Sequence, residues 1–578
     1  MKTWFRPALF RSAIVAAALL VAGFASAQPA AKAAVPAERL PPGYACATAH
    51  PLATRACLDI LAAGGNAFDA AVAASAALAV VEPTSSGIGG GGFWLLHRES
   101  DGLDVFVDGR EVAPMAATAT MYQDGKGNAV AALSRYGSLA AGIPGEPAAL
   151  EHIARRYGAK PLASSLAPAI AYARDGFAVD AKLAKAIIEE GANLSWAARN
   201  LLLPNGQPLP AGALLKQPDL AETLNQLATR GRAGFYEGPA ADKLLKAVKA
   251  TGGIWTAEDL RRYEIVEREP LQFDYRGYRV TTAPPPSAGG IALAQLFEQL
   301  EILGWKDDGS VLSKHLWVES LRRAYHDRAQ YLGDPDFVRV PTVELVSRAH
   351  VRELARGIDA KRATPSASLT PVPLGGEGHN TTHLSVIDAQ GNRVAATLSI
   401  NLTFGSGFMA PGTGVFLNDE MDDFAASTTA SNAYGLIGSE ANAVAPRKRP
   451  LSSMCPTFVE GPRGLLVIGT PGGSRIPTMV ALGMAGWIRG LDAPAVVALP
   501  RIHHQYLPDV VQLEPDGLSA EQQQGLVALG HTLKPVNSYG NLQVVSWDAA
   551  NDALTAAADP RGVGSGEVVL TRAAAAKK

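Results

Sequence analysis

Cysteine is scarce in this chain of 578 residues: Cys46, Cys57 and Cys455 are all it has. So few thiols exclude a disulfide scaffold, and the fold must rest on packing with at most one bridge and one odd thiol. Cys46 and Cys57 are near enough to pair, although nothing in the sequence sets their geometry. Cys455 reads as a small buried hydrophobe rather than as a nucleophile. An excess of basic residues is also missing. The formal net charge is -2, and no cluster of Lys and Arg points to nucleic acid or an anionic membrane as partner. The apolar run Ala13 to Ala22 falls short of the about 20 residues that span a bilayer. No Gly-Lys-Ser/Thr ending follows the glycines at 87–92, which removes the phosphate loop and leaves close backbone packing as their reading. No metal-ligand spacing occurs, since the adjacent His503 and His504 would point to opposite faces of a strand. No metal and no cofactor are expected, and no internal repeat is present.

The short apolar run has a different use. Lys2, Arg6 and Arg11 precede it and Ala25-Ser26-Ala27 follow, the pattern of a secretory signal over residues 1–27. The expectation is an exported chain beginning near Gln28, periplasmic or secreted, with no stable membrane anchor. Its net charge becomes -5 once the three leader cations are gone. The remaining about 550 residues could form several ordinary domains or one large one, and length alone does not choose.

Leu52–Ala63 reads as a helix closed by Gly64-Gly65, and Asn66 caps a second helix, Ala67–Val81, apolar nearly all round and therefore buried. Helical patterns alternate with Pro/Gly loops over 150–360, including Lys182–Glu190, Leu220–Thr229, Ala240–Ala250 and Val311–Leu332. That stretch is rich in bulk and poor in chemistry. Between Ala363 and Asn380 the composition shifts to Thr, Pro, Ser and Gly, as in an exposed segment where a chain can be opened without loss of a core.

The segment runs into Asn380-Thr381-Thr382-His383 and a half-buried β pattern. A cut before Thr381 would place a free α-amine beside its own hydroxyl, a recognised way of activating a weak oxygen nucleophile. Alternation over His383–Asp388 and Arg393–Asn401, separated by Ala389-Gln390-Gly391, predicts a hairpin with Gly in the left-handed position. That loop sets Asp388 against Asn392 and hence Thr381 against Ser399, with Thr397, Ser399 and Asn401 on one face. Further on, strand Leu465–Gly469, turn Thr470–Ser474 and helix Ile476–Arg489 would turn backbone N–H groups outward, as an anion or oxyanion requires. A plain tight turn explains the same residues equally well.

Gly-Arg-Glu at 109–111, Asn380-Thr381-Thr382-His383, the run Asn418 to Phe424, Pro450 to Met454 and Thr470 to Arg475 together resemble the γ-glutamyltransferase (glutathione hydrolase) family. The resemblance extends from Gly64-Gly65-Asn66-Ala67 through Ser86 to Phe93 and on to Asp559-Pro560-Arg561. It implies an α+β fold, an N-terminal nucleophile hydrolase with a four-layer αββα sandwich, made as a precursor that cuts itself between Asn380 and Thr381. The implied products are a large subunit, 28–380, and a small one, 381–578, held as one intertwined heterodimer. The resemblance assigns Thr381 as nucleophile, Ser399 as its hydroxyl partner and Gly472 and Gly473 as the oxyanion hole. Arg110, Ser452 and Ser453 fall to the α-carboxylate of the donor, Asn401, Glu420 and Asp423 to its α-ammonium, and Tyr434 to a lid. Substrates would be glutathione and other γ-glutamyl compounds, with water or an amino acid or peptide as acceptor.

Ser399 stands where many relatives carry Thr, losing the methyl that fixes χ1, so slower processing or turnover is expected. Glu420 occupies a position where relatives carry Gln or Glu. His383, two residues beyond the nucleophile, reads as structural because the α-amine already fills the role of base. Two rivals remain: a glutaryl-type cephalosporin acylase of the same superfamily, whose acyl group has no ammonium for Glu420 and Asp423 to meet, and a silent secreted binding protein of the same fold, which should have lost Thr381 or the glycines.

Overall fold

The computed structural model describes residues 40–369, 380–425 and 440–572. The leader and Tyr434 lie outside the described residues. Two antiparallel sheets form its centre. The first runs in the spatial order Ser565–Leu570, Gly43–Thr48, Thr382–Ile387, Arg393–Ser399, Gly91–Arg98, Leu103–Gly109 and Val266–Arg268. The second runs Ala553–Ala558, Gln543–Asp548, Gly464–Gly469, Thr457–Gly461, Tyr278–Thr282 and Leu271–Tyr275.

Both faces of the first sheet are covered, which is why Phe93-Trp94-Leu95-Leu96 is apolar without a break. Trp94, Leu96, Leu384, Val386, Val394 and Ala396 pack against Pro51–Ala62, Ala67–Val81 and their neighbouring helices. Phe93, Leu95, Ile387 and Ala395 turn the other way, into a core shared with Phe458, Leu466, Val467 and Val544 of the second sheet. Helices Gly289–Ile302, Val311–Tyr331 and Ile476–Ile488 contribute Phe297, Trp317 and Val480 to the same core. The layering is helix, sheet, sheet, helix, the αββα sandwich expected.

Local expectations hold closely where the signal is local. Asn66 accepts from Phe68 and Asp69 N–H while Asp69 accepts from Asn66 N–H, a capping box opening a helix of the expected bounds, Ala67–Val81. The glycines at 89–92 pack backbone on backbone: a Cβ on Gly90 would lie 2.1 Å from the Ser399 carbonyl oxygen, and one on Gly89 2.0 Å from that of Phe416. Cys46, on an inner strand, is bridged to Cys57 of the following helix, and Cys455 is buried and free.

Two expectations fail. The 150–360 stretch is not helix and loop throughout, because Val266–Arg268 closes the first sheet and Leu271–Tyr275 and Tyr278–Thr282 begin the second. Their hairpin turns on Arg276 and Gly277, both at positive φ, and Arg is a weak signal for such a turn. Strand Arg393–Ser399 also stops before Asn401, whose φ of 73° lies in the left-handed region. Asn401 therefore does not continue the face of Thr397 and Ser399.

Candidate active site

The hairpin register is the one the turn predicts. Asp388 N–H donates to Asn392 O at 3.0 Å, and the ladder pairs Leu398 with Thr382, which brings Ser399 opposite Thr381. Thr381 Oγ1 lies 3.3 Å from Ser399 Oγ and donates to the Asn380 carbonyl oxygen at 2.8 Å. Ser399 Oγ accepts from Asn401 N–H at 2.8 Å and sits 3.5 Å from the same Asn380 carbonyl. With an N–H already donated to it, the Ser399 hydroxyl turns its own proton toward Thr381 or that carbonyl. The strand is anchored at this end by Thr382 Oγ1 donating to Glu82, which also pairs with Lys182.

Thr381, Ser399, Asn401, Arg110, Glu420, Asp423, Ser452, Ser453 and Gly473 border one narrow, solvent-open cleft. They arrive from several separate segments of the chain. Arg110 follows strand Leu103–Gly109, its carbonyl accepting from Tyr263 Oη and its Nε donating to the Pro450 carbonyl. Glu420–Asp423 form a short turn positioned by Asn418, whose amide bonds Gly89 O, Gly142 O, Gly142 N–H and Glu420 N–H. Asn401 is fixed by Asp419, which accepts its Nδ2 and the N–H of Leu402. Ser452 pairs with Ser287, and the buried Ser453 Oγ has no hydrogen-bond partner among the described residues.

The electrostatics centre on Arg110, 1 % exposed, whose Nη1 lies 2.6 Å from Glu420 and Nη2 2.6 Å from Asp423. Burial disfavours its charge, but these two carboxylates and Glu111 more than offset that and hold its pKa above the ordinary guanidinium value. Burial raises Asp423 to about 7, with Arg110 opposing the rise and Glu420 adding to it. Glu111, 3.7 Å from Arg110, is driven well above the usual carboxyl range by burial and by Glu420, which favours its neutral form. Asp422 faces elsewhere, toward Ser134 and Arg135.

Gly472 and Gly473, at φ of 135° and 56°, make a turn that L side chains rarely adopt, and neither N–H donates to another described residue. Such free N–H groups ahead of helix Ile476–Ile488 suit an anion or oxyanion. Gly473 borders the cleft itself.

His383 is structural. Its ring is fully buried between Thr397 Oγ1 at 2.9 Å and Ser385 Oγ at 3.1 Å, and burial lowers its pKa to about 3. Arg475 is turned to Gln512 and stacks on Tyr539 rather than facing the cleft. His503 and His504 bond different partners, Thr478 with Gln505 and Asp509 respectively. His315, Glu319 and His531 do converge, a grouping the sequence did not announce because His531 lies 216 residues from His315. Both Glu319 oxygens are already engaged by Arg322, Arg323 and Thr364 N–H, and the two rings bond each other at 2.7 Å. Sequence reading also passed over Arg328, which borders the cleft from the Val311–Tyr331 helix.

Two facing sheets between helical layers, with a hydroxyl residue at the start of an inner strand, define the N-terminal nucleophile hydrolase fold. A cephalosporin acylase from Bacillus halodurans superposes with a TM-score of 0.80 at 30% identity, over 94% of this chain and 98% of that one. The Gamma-glutamyltranspeptidase family profile matches residues 53–569, and the chain belongs to that family. It is 41% identical to a glutathione hydrolase proenzyme of Pseudomonas sp. (strain A14), over 90% of this chain and 91% of that protein. It is 41% identical to the one of Escherichia coli (strain K12), over 88% and 89%.

Proposed function

We propose that this chain is a γ-glutamyltransferase and glutathione hydrolase, made as a precursor that Thr381 converts to the active enzyme. The observation that carries the proposal is the placement of Thr381 Oγ1 beside both Ser399 and the Asn380 carbonyl, in a cleft that Arg110, Glu420 and Asp423 also border. In the uncut chain Thr381 Oγ1 attacks the carbonyl carbon of Asn380, the peptide N–C bond gives way to an ester, and water hydrolyses the ester to a carboxylate and a free Thr381. The large subunit is then 28–380 and the small one 381–578. They stay together because the first sheet interleaves strands from both sides of the cut.

In the mature enzyme the Thr381 α-amine takes the hydroxyl proton, directly or through water, as Oγ1 adds to the γ-carbonyl of the donor. Gly472 and Gly473 N–H groups receive the oxyanion. The amine product leaves, cysteinylglycine in the case of glutathione, and the γ-glutamyl ester is resolved by water or by an amino acid or peptide amine. Arg110 with Ser452 and Ser453 holds the donor α-carboxylate, and Asn401, Glu420 and Asp423 its ammonium. Arg110 pairs with Glu420 and Asp423 in the cleft, so the donor zwitterion takes up contacts that these three groups make with each other. Residues 1–27 act as the export signal, and among the described residues no helix is long and apolar enough to cross a membrane.

The fold is shared with a cephalosporin acylase, but a glutaryl group has no ammonium, and Glu420 and Asp423 would then be two acids without a substrate cation to meet. Expression of the full chain should yield two bands on a denaturing gel, the smaller beginning at Thr381, and hydrolysis of γ-glutamyl p-nitroanilide well above that of the glutaryl anilide. Thr381→Ala should remain a folded single band. Efficient cleavage of that variant, or a preference for the glutaryl donor, would overturn the reading.

A further inference from the structure

Arg110 is the only cation that the family resemblance places in the cleft, yet its guanidinium already meets Glu420 and Asp423. Arg328 is a second one. It sits in the last turn of Val311–Tyr331, is 6 % exposed, and borders the cleft beside Gly473, Ser453 and Asp423. No described residue gives it a hydrogen bond or an ion pair, and its Nε is sealed from solvent without a partner. Burial holds its pKa below the ordinary guanidinium value, with Tyr325 and Asp423 only partly offsetting this.

An unpaired buried guanidinium is costly, and a group of this kind in a cleft is a candidate for binding an anion that arrives from outside. Charge balance points the same way. The ammonium end of the cleft carries two acids, Glu420 and Asp423, against the single charge of Arg110. A donor α-carbon bearing both carboxylate and ammonium is itself neutral. Without Arg328 the occupied cleft would be left with one net negative charge, a poor environment for the carboxylate half of the donor. A cation in the last turn of a helix can also serve the helix dipole, but that role needs only an exposed side chain and does not account for its place on the cleft wall.

We infer that Arg328 is a second recognition group for the α-carboxylate of the donor, sharing that anion with Arg110. The inference rests on the γ-glutamyl reading above. It gives the cleft two cations and two acids for a substrate end that is itself a zwitterion.

Steady-state kinetics of wild type, Arg328→Gln and Arg328→Lys test it with two donors: γ-glutamyl p-nitroanilide and γ-aminobutyryl p-nitroanilide, the same donor without its α-carboxylate. Arg328→Gln should raise KM for the γ-glutamyl donor by about tenfold to a hundredfold, the scale of a lost charge-assisted hydrogen bond. kcat should fall less. Arg328→Lys should recover part of the loss, and kcat/KM for γ-aminobutyryl p-nitroanilide, poor throughout and carried by a cation alone, should not fall. A gel of the self-cleaved fragments and a melting curve confirm that each variant folds. If Arg328→Gln does not fold, the comparison is made with Arg328→Lys alone, which should lose efficiency on the γ-glutamyl donor and keep it on the other. Equal losses on both donors, or none, would overturn the inference while leaving the γ-glutamyl reading intact. A wild type that ignores γ-glutamyl p-nitroanilide would overturn both.

Discussion

Ser399 is where precursor cleavage is most exposed to a single atom. Its hydroxyl is 3.3 Å from Thr381 Oγ1 and 3.5 Å from the Asn380 carbonyl, and accepts from Asn401 N–H at 2.8 Å. Ser399→Ala removes a side-chain donor that lies near both the attacking oxygen and the carbonyl that becomes an oxyanion. Loss of a donor aimed at an oxyanion costs about 2.7–4 kcal/mol, and loss of an ordinary neutral hydrogen bond about 0.5–1.5 kcal/mol. The separations put Ser399 in reach of both atoms and tight to neither, so the expected loss lies between, about 1.5–3 kcal/mol. At 1.36 kcal/mol per decade this is a slowing of about tenfold to a hundredfold. Ser399→Thr keeps the hydroxyl and adds the methyl that restricts χ1, so it should cleave at least as fast as wild type. The assay is a time course of precursor to two fragments on a denaturing gel after rapid purification, with a melting curve to show that Ser399→Ala is folded. Cleavage of folded Ser399→Ala at the wild-type rate would refute the reasoning.

Three further outcomes are expected. Gly469→Ala places a Cβ 2.2 Å from the ring of His383, which Thr397 and Ser385 hold in place; it should destabilise by about 1–3 kcal/mol, read as a lower melting temperature, and an unchanged one would contradict the packing described. Asp423, raised to about 7, becomes neutral as pH falls through that value and no longer attracts the donor ammonium. KM for γ-glutamyl p-nitroanilide should therefore rise below about pH 7, whereas kcat should fall from about pH 8 downward as the Thr381 α-amine protonates; a KM independent of pH over that range would exclude the role given to Asp423. The Cys46–Cys57 bridge closes a loop with a separation of 11 residues, so reduction should cost about 3 kcal/mol, and a reductant that leaves the melting curve unmoved would count against it.

The order of elements around the nucleophile was legible in the residues alone. Hairpin register is set by loop length and the two-residue period of a strand, so Ala389-Gln390-Gly391 sufficed to put Ser399 against Thr381. Caps are equally local, which is why Asn66 announced the helix Ala67–Val81. The ordered motifs carried the family and its four layers. The hairpin of Leu271–Tyr275 and Tyr278–Thr282 was not legible, because Arg276 in a left-handed turn is an uncommon choice that tertiary packing tolerates.

What the sequence by itself determined, then, is the proposed nucleophile, the residue facing it across the hairpin and the set of charged residues assigned around them, since spacing and motif order state these directly. Only the tertiary structure decided how the charges stand to one another. Arg110 pairs with Glu420 and Asp423 across separations of 310 and 313 residues, and Arg328 stands against the same cleft with no ion pair among the described residues. Pairing and burial depend on distances between elements that no local pattern encodes, and a buried charge is governed by those distances.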